Sequence, residues 1–156
     1  MAKLLIVDDQ RNMRTTLAMM LRGAGFEVDE AQSGEEGCER GSSGAYDVLV
    51  TDLRMGSKDG IDVLRAVKGA QPMTEIIVMT AYGTIESAVE AMRYGAFDYI
   101  QKPFTEQELL VKVGKALDNR RLAGEVAFLA SEFKDRYKFE NIVGQSRSVR
   151  EVLGRI

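Results

Sequence analysis

Four short, largely apolar runs in this 156-residue chain each end abruptly at a polar residue, which sharply limits the folds open to it. The segments between the runs carry apolar residues at helical spacing, and most of them end at glycine. Such alternation of strand and helix patterns predicts βαβ units and a parallel sheet. The runs are residues 4–7, 48–51, 76–79 and 97–101, ended respectively by Asp8 with Asp9, by Asp52, by Thr80 and by Lys102.

A fifth strand is predicted at residues 26–31, which completes five strands and five helices in an α/β three-layer sandwich. The fully apolar runs suit strands in the interior of the sheet, covered on both faces. Capping boxes at Ser33 and Thr105 mark the starts of the second and fifth helices. The second helix contains Gly37 and runs into a Gly-Ser-Ser-Gly segment, so we expect it to be short and exposed.

The polar residues that end the four runs predict one shared site, because ligands bind outside the carboxyl ends of parallel strands. Asp8, Asp9, Asp52, Thr80 and Lys102 then converge on a single crevice. Three crowded carboxylates repel one another, so either one of them is protonated or a cation enters. Mg²⁺, or Mn²⁺ in its place, is the expected cation, since magnesium prefers oxygen ligands and is held by one or two carboxylates together with a phosphate.

Asp52 is the predicted nucleophile, because a carboxylate can form an acyl phosphate and the end of a central strand presents it to a donor. The two acids that follow the first run would hold the metal. Phosphoryl transfer depends on positioning and on charge neutralisation. Lys102 can neutralise one phosphoryl oxygen, and the Thr80 hydroxyl with the Ala81 backbone N–H can bind the others.

Composition excludes several classes of function. The chain has no histidine, so it contains no Ser-His-Asp or Cys-His nucleophile system and no histidine-ligated metal. A net charge of −3 gives no basic surface for direct binding of nucleic acid or of an anionic membrane. No apolar stretch approaches the ~18–20 residues of a membrane span. The single Cys38 cannot form an internal disulfide, so we expect a cytoplasmic location.

Over residues 1–118 the chain resembles the receiver domains of two-component response regulators. The resemblance rests on Asp8-Asp9, Asp52, Thr80 and Lys102-Pro103. The resemblance implies a flavodoxin-like topology with strand order 2-1-3-4-5. It implies transfer of phosphate from a phosphohistidine of a sensor histidine kinase to Asp52, so that the chain catalyses only its own modification. It also implies the Arg54 backbone carbonyl as a further metal ligand and a Lys-Pro bond that is commonly cis.

The same resemblance implies a switch and a control on hydrolysis. Thr80 would move toward the phosphoryl group, and Tyr99, three residues before the lysine, would turn inward to fill the vacated space. Arg54 and Tyr82 would line the approach to the phosphoryl group, and we hypothesise that this bulky pair slows hydrolysis. The loop after Asp52 lacks the proline that is usual in the family and has Gly56 in its place, so we expect a looser loop.

The pattern changes after residue 118, and a helical linker is predicted over residues 119–138. Its apolar residues are spaced four, three and four apart, as in a dimeric coiled coil, although a helix packed on its own domain is an alternative. The expected homodimer seam consists of Leu122, Val126, Leu129 and Phe133.

The last residues, 139–156, resemble the start of the AAA+ ATPase domain of NtrC-family activators, which work with sigma-54 RNA polymerase. No Gly-x-x-x-x-Gly-Lys-Ser/Thr follows, so this chain has no phosphate-binding loop and cannot hydrolyse ATP. The resemblance implies a longer parent protein that carries an AAA+ domain and a DNA-binding domain.

Other interpretations remain open from the sequence. Asp9 could cap the first helix. A flavodoxin-like electron carrier would need a Ser/Thr/Gly-rich phosphate loop where this chain has Asp8-Asp9-Gln10-Arg11. A phosphatase with an aspartate nucleophile normally presents Asp-x-Asp after its first strand. A degenerate receiver that acts only in dimerisation is disfavoured by the complete acidic set.

Overall fold

Strands and helices alternate strictly along the chain, as the apolar runs predict. The computed structural model describes residues 2–55, 58–81 and 85–143, with backbone only at residues 85, 127, 128 and 130–143. The elements are β1 (Lys3–Val7), α1 (Arg11–Gly23), β2 (Glu27–Ala31), α2 (Gly34–Gly41), β3 (Val48–Asp52), α3 (Gly60–Ala70), β4 (Glu75–Thr80), α4 (Ile85–Arg93), β5 (Asp98–Gln101) and α5 (Glu106–Val143).

The five strands form one parallel sheet in the order β2-β1-β3-β4-β5, which confirms the predicted topology. The register pairs Val7 with Thr51, so β1 and β3 end within one residue of each other. It also pairs Thr80 with Gln101 at the ends of β4 and β5. The polar residues that follow these strands therefore emerge along one edge of the sheet.

Each face of the sheet carries its own apolar cluster, because successive strand residues point to opposite faces. Leu4 and Ile6 pack with α1 and α5, whereas Leu5 and Val7 pack with α3 on the other face. The covering side chains include Leu17, Leu21, Leu109 and Val113 on the first face and Val63, Leu64 and Val67 on the second. The expected three-layer sandwich is therefore present.

Helix α2 is short, with 8 residues, but the expectation that it is exposed is wrong along one face. Gly34, Gly37 and Gly41 are buried there. A Cβ atom on Gly37 would lie 2.7 Å from Val7 Cγ1, and one on Gly41 would lie 2.5 Å from Val67 Cγ2. These glycines therefore permit close packing on β1 and α3.

Helix α5 continues without interruption through residues 118 and 138 to Val143. Contacts divide the chain into one unit that spans Met1–Arg120 and a second that begins at Arg121. The boundaries of the linker and of the AAA+ segment stay predictions, and residues 144–156 lie outside the described part. In the part of the chain that is described, no helix has the length and apolarity that a membrane crossing requires.

Candidate functional site

Three carboxylates meet at the carboxyl edge of the sheet. Asp8 and Asp9 follow β1 directly, and Asp52 is the last residue of the neighbouring strand β3. One carboxylate oxygen from each lies within 4.8 Å of those of the other two. The structure thus brings together the three acids that the sequence singles out.

Asp8 is fully buried and only partly satisfied by hydrogen bonds. Its Oδ1 accepts a hydrogen bond from the Gln10 backbone N–H at 2.9 Å, whereas its Oδ2 has no hydrogen-bond partner among the described residues. Burial raises the pKa of Asp8, and repulsion by Asp52 and Asp9 acts in the same direction, while the Gln10 N–H and Lys102 oppose the rise. A buried carboxylate oxygen in this situation needs a cation or a proton.

Asp9 does not cap the first helix, so that alternative is wrong. The N-cap residue of α1 is Gln10, and no side chain makes a capping hydrogen bond there. Asp9 is exposed beside the other two acids. Its carboxylate therefore belongs to the acid cluster, and oxygen-only ligands of this kind suit Mg²⁺.

Lys102 joins two of the acids. It follows β5, and its Nζ donates a hydrogen bond to Asp52 Oδ2 at 3.2 Å and lies 3.7 Å from Asp8 Oδ2. Its backbone N–H donates to the Thr80 carbonyl at 2.8 Å, which fixes the loop against the end of β4. The Lys102–Pro103 peptide bond is cis, as the family resemblance implies.

A cavity of about 310 Å³ opens beside Asp52. Thr80, at the end of β4, is 3% exposed, and the exposed Ala81 follows it on the cavity wall. The sequence did not identify four of the lining residues, which are Gln10, Met13, Leu53 and Ser87. The walls are formed by Gln10, Met13, Leu53, Arg54, Ala81, Ser87 and Lys102 around Asp52.

Tyr99 lies on the outer surface of β5, with 41% of the residue exposed. The Lys112 ammonium lies 5.7 Å from the centre of its ring and 2.8 Å from Asp98 Oδ2. The ring is therefore partly exposed and lies beside Lys112 of α5 in this structure. Tyr82 lies outside the described residues.

The linker residues Leu122, Val126 and Leu129 are exposed by 53%, 66% and 61%. They lie in the second unit, on the continuation of α5. The side chain of Phe133, the fourth predicted seam residue, lies outside the described part.

Comparison with known proteins gives a consistent result. The family described as "Response regulator receiver domain" matches residues 4–114. The transcriptional regulatory protein ZraR of Escherichia coli O157:H7 is 35% identical over 98% of this chain and 34% of its own length. The DNA-binding transcriptional regulator NtrC of Klebsiella pneumoniae is 38% identical over 73% of this chain and 24% of its own length. The chain thus spans about a third, or less, of the length of these curated relatives.

Solved structures agree with the sequence matches. A response regulator receiver domain protein from Clostridium thermocellum superposes with a TM-score of 0.76 at 33% identity, covering 79% of this chain and 99% of that one. NtrX from Brucella abortus, in complex with ATP, superposes with a TM-score of 0.78 at 30% identity, covering 82% of this chain and 29% of that one.

Proposed function

This chain belongs to the response regulator receiver domain family, and from that premise we propose that Asp52 accepts a phosphoryl group from a sensor histidine kinase. One observation carries the proposal. Asp52 ends a central strand, contacts the Lys102 ammonium at 3.2 Å and borders an open cavity. A nucleophile, a neutralising cation and room for the donor therefore coincide.

Asp8, Asp9 and Asp52 would hold Mg²⁺, or Mn²⁺, with the Arg54 backbone carbonyl as a further ligand. The buried Oδ2 of Asp8, which accepts no hydrogen bond from the described residues, and the all-oxygen donor set support this assignment. When bound, the ion would supply positive charge to the phosphoryl oxygens.

In the transfer step, a carboxylate oxygen of Asp52 attacks phosphorus, so a P–O bond forms while the P–N bond to the donor imidazole breaks. The electron pair of that bond stays on the imidazole nitrogen, which takes up a proton from solvent. Lys102 neutralises one phosphoryl oxygen. The Thr80 hydroxyl and the Ala81 N–H bind the others, which is the charge stabilisation that phosphoryl transfer requires.

Phosphate incorporation from a small acyl phosphate donor with Mg²⁺ tests the proposal. Asp52→Asn should abolish incorporation, because an amide cannot form the acyl phosphate. Asp98→Asn is the matched control, since Asp98 is the first residue of β5 and lies at the amino end of that strand, away from the acid cluster. This variant should keep wild-type incorporation. Wild-type incorporation by the Asp52 variant would assign the nucleophile to another residue.

We propose that phosphorylation moves Thr80 and turns Tyr99 inward. A phosphoryl group adds about two negative charges, which attract the hydroxyl. The outward ring of Tyr99 and the adjacent strand ends of β4 and β5 support this proposal. Solvent accessibility of the Tyr99 ring should fall when beryllofluoride, a phosphate mimic, is added to the wild type, and should stay constant in Thr80→Val.

Arg54 and Tyr82 are proposed to slow hydrolysis of the acyl phosphate. Support comes from Arg54, which is exposed and lines the cavity beside Asp52, where it can obstruct approaching water. Replacing both residues with alanine should shorten the lifetime of the acyl phosphate. An unchanged lifetime in the double variant would reject the role.

The helix after Arg120 is proposed to form a homodimer seam. The exposed Leu122, Val126 and Leu129 support this, because apolar residues at heptad spacing gain stability by burial in a partner helix. Native mass measurement should show dimer loss in Val126→Asp but not in Glu125→Asp, an exposed neighbour. Recording both with and without beryllofluoride would show whether phosphorylation changes the assembly.

The parent protein is proposed to be a sigma-54-dependent activator with AAA+ and DNA-binding domains. The greater length of the relatives supports this, as does the similarity to NtrC of Klebsiella pneumoniae, a DNA-binding transcriptional regulator. The net charge of −3 supports assigning DNA contact to other parts of that protein. The single cysteine supports the expected cytoplasmic location.

A further inference from the structure

The corner between β1 and α1, which carries two of the three clustered acids, has little support of its own. Helix α1 begins without a side-chain cap and has no acidic residue in its first turn. Apart from the first helical bond, in which the Arg14 N–H donates to the Gln10 carbonyl at 3.0 Å, two hydrogen bonds hold the backbone of the corner within the described residues. Asp8 N–H donates to the Ala31 carbonyl at 3.1 Å, and Gln10 N–H donates to Asp8 Oδ1 at 2.9 Å. Neither bond fixes the carbonyl of Asp8.

Arg14, one turn into α1, supplies the missing contact. Its Nη1 donates a hydrogen bond to the Asp8 carbonyl oxygen at 2.9 Å. Its Nε lies 3.4 Å from Glu30 Oε1 on β2, and only 14% of its side chain is exposed. Because the guanidinium is planar and presents its donors in a rigid fork, the contact with Glu30 fixes the donor that reaches Asp8.

The carbonyl of Asp8 has a direct geometric effect on the acid cluster. It belongs to the planar peptide unit that joins Asp8 to Asp9, so its direction sets the relative orientation of the two residues. The Asp8 and Asp9 carboxylates lie within 4.8 Å of each other and of Asp52. A rotation of this peptide unit would move them apart.

We propose that Arg14 is a positioning residue for divalent-cation binding, acting through the Asp8–Asp9 peptide unit and anchored by Glu30. The proposal rests on the proposed function, since it needs the acid cluster to hold a cation. Residues that orient metal ligands typically contribute about 10- to 100-fold in affinity. The Arg14 guanidinium binds the Asp8 carbonyl oxygen, so it acts on cation binding by orienting the residues that hold the ion.

Electrostatics alone predicts the opposite effect of Arg14 on Mg²⁺ affinity. Arg14 is itself a cation close to an acidic cluster, so loss of its charge would favour the entry of another cation. If geometry dominates, Arg14→Met weakens Mg²⁺ binding. If charge dominates, the same variant binds Mg²⁺ more tightly, and Arg14→Lys resembles the wild type.

The experiment is a Mg²⁺ titration of the whole chain, followed by the backbone amide resonances of Gln10 and Leu53. Arg14→Met should raise the Kd about tenfold, and Arg14→Lys should fall between it and the wild type. Arg22→Met is the matched control. Arg22 lies on the same helix, 3.5 Å from Glu30 Oε2, and donates to the Val28 carbonyl at 2.8 Å, away from the acid cluster. Its Kd should stay within about twofold of the wild type.

A phosphorylation readout separates positioning from general loosening. The Mg²⁺ concentration for half-maximal phosphorylation should rise in Arg14→Met, while the rate at saturating Mg²⁺ returns to the wild-type value. An unchanged or lower Kd in Arg14→Met overturns the proposal, and so does an equal rise in Arg22→Met. If Arg14→Met does not fold, a wild-type Kd in Arg14→Lys overturns it. Absence of any saturable Mg²⁺ response in the wild type overturns the proposed function as well, which is a distinguishable result.

Discussion

The Lys102→Met variant distinguishes the contribution of the Lys102 ammonium at the acid cluster from that of Mg²⁺. The Lys102 ammonium lies 3.2 Å from Asp52 Oδ2 and 3.7 Å from Asp8 Oδ2, and 19% of its side chain is exposed. With an effective dielectric constant of about 20, these distances correspond to attractions of about 5 and about 4.5 kcal/mol before desolvation is subtracted. Charge-assisted hydrogen bonds retain about 1.5–3 kcal/mol after that cost, so the variant should lose about 2 kcal/mol of stability without Mg²⁺.

The same substitution should not weaken Mg²⁺ binding. The ammonium and the divalent ion compete for the same carboxylate oxygens, so removing the ammonium leaves those oxygens free for the ion. If about 1.4 kcal/mol of the lost attraction is recovered by Mg²⁺, affinity rises about tenfold. Phosphorylation should nevertheless slow, because one phosphoryl oxygen loses its neutralising partner.

Denaturant unfolding with and without Mg²⁺ measures both effects. Mg²⁺ at 100 times its Kd adds about 2.7 kcal/mol to the free energy of unfolding, so at equal Mg²⁺ the variant should gain about 1.4 kcal/mol more than the wild type. Lys115→Met, at an exposed position of α5, is the control and should behave as the wild type. A smaller Mg²⁺-induced gain in Lys102→Met than in the wild type would show that the ammonium and the ion do not compete for these oxygens.

Two further predictions concern stability. Gly37→Ala should lower the free energy of unfolding by about 1–3 kcal/mol, because its Cβ would lie 2.7 Å from Val7 Cγ1. Gly114→Ala in α5, where a Cβ meets open space, should raise it by about 0.5–1 kcal/mol. Denaturant unfolding measures both. Tyr46→Phe removes a hydrogen bond of 2.7 Å to Asp29, which lowers the pKa of that carboxyl below its ordinary 3.8. The stability lost should therefore be largest above pH 3.8 and should shrink as the pH falls through the lower folded-state pKa. At the alkaline end, burial and then the same hydrogen bond raise the pKa of Tyr46 to about 12, so the stability difference should also shrink as the pH rises from 10 to 12.

The fold follows from the sequence because its signals are local. Each apolar run is long enough for one strand, each helical segment has one apolar face, and the polar residue after each run marks the carboxyl end. Parallel βαβ units then bring those ends to one edge of the sheet. For this reason Asp8, Asp52 and Lys102 could be placed together without any knowledge of their contacts.

Other features depend on packing between distant segments and have no local signal. The glycines of α2 suggest a weak, exposed helix, yet Gly37 and Gly41 are needed for close approach to β1 and α3. The contact of Arg14 with the Asp8 carbonyl depends on the path of the chain around a corner. Ser87 reaches the cavity from α4 because of how that helix packs.

Identifying the residue that carries the phosphate tests directly whether Asp52 is the phosphoryl acceptor. The wild-type chain is treated with a small acyl phosphate donor, reduced with borohydride, which converts a phosphorylated aspartate to homoserine, and mapped by peptide mass. Conversion of Asp52 alone is expected, and only when a divalent cation is present. Conversion of another aspartate, or conversion of Asp52 that is undiminished by removal of all divalent cations, would contradict that assignment.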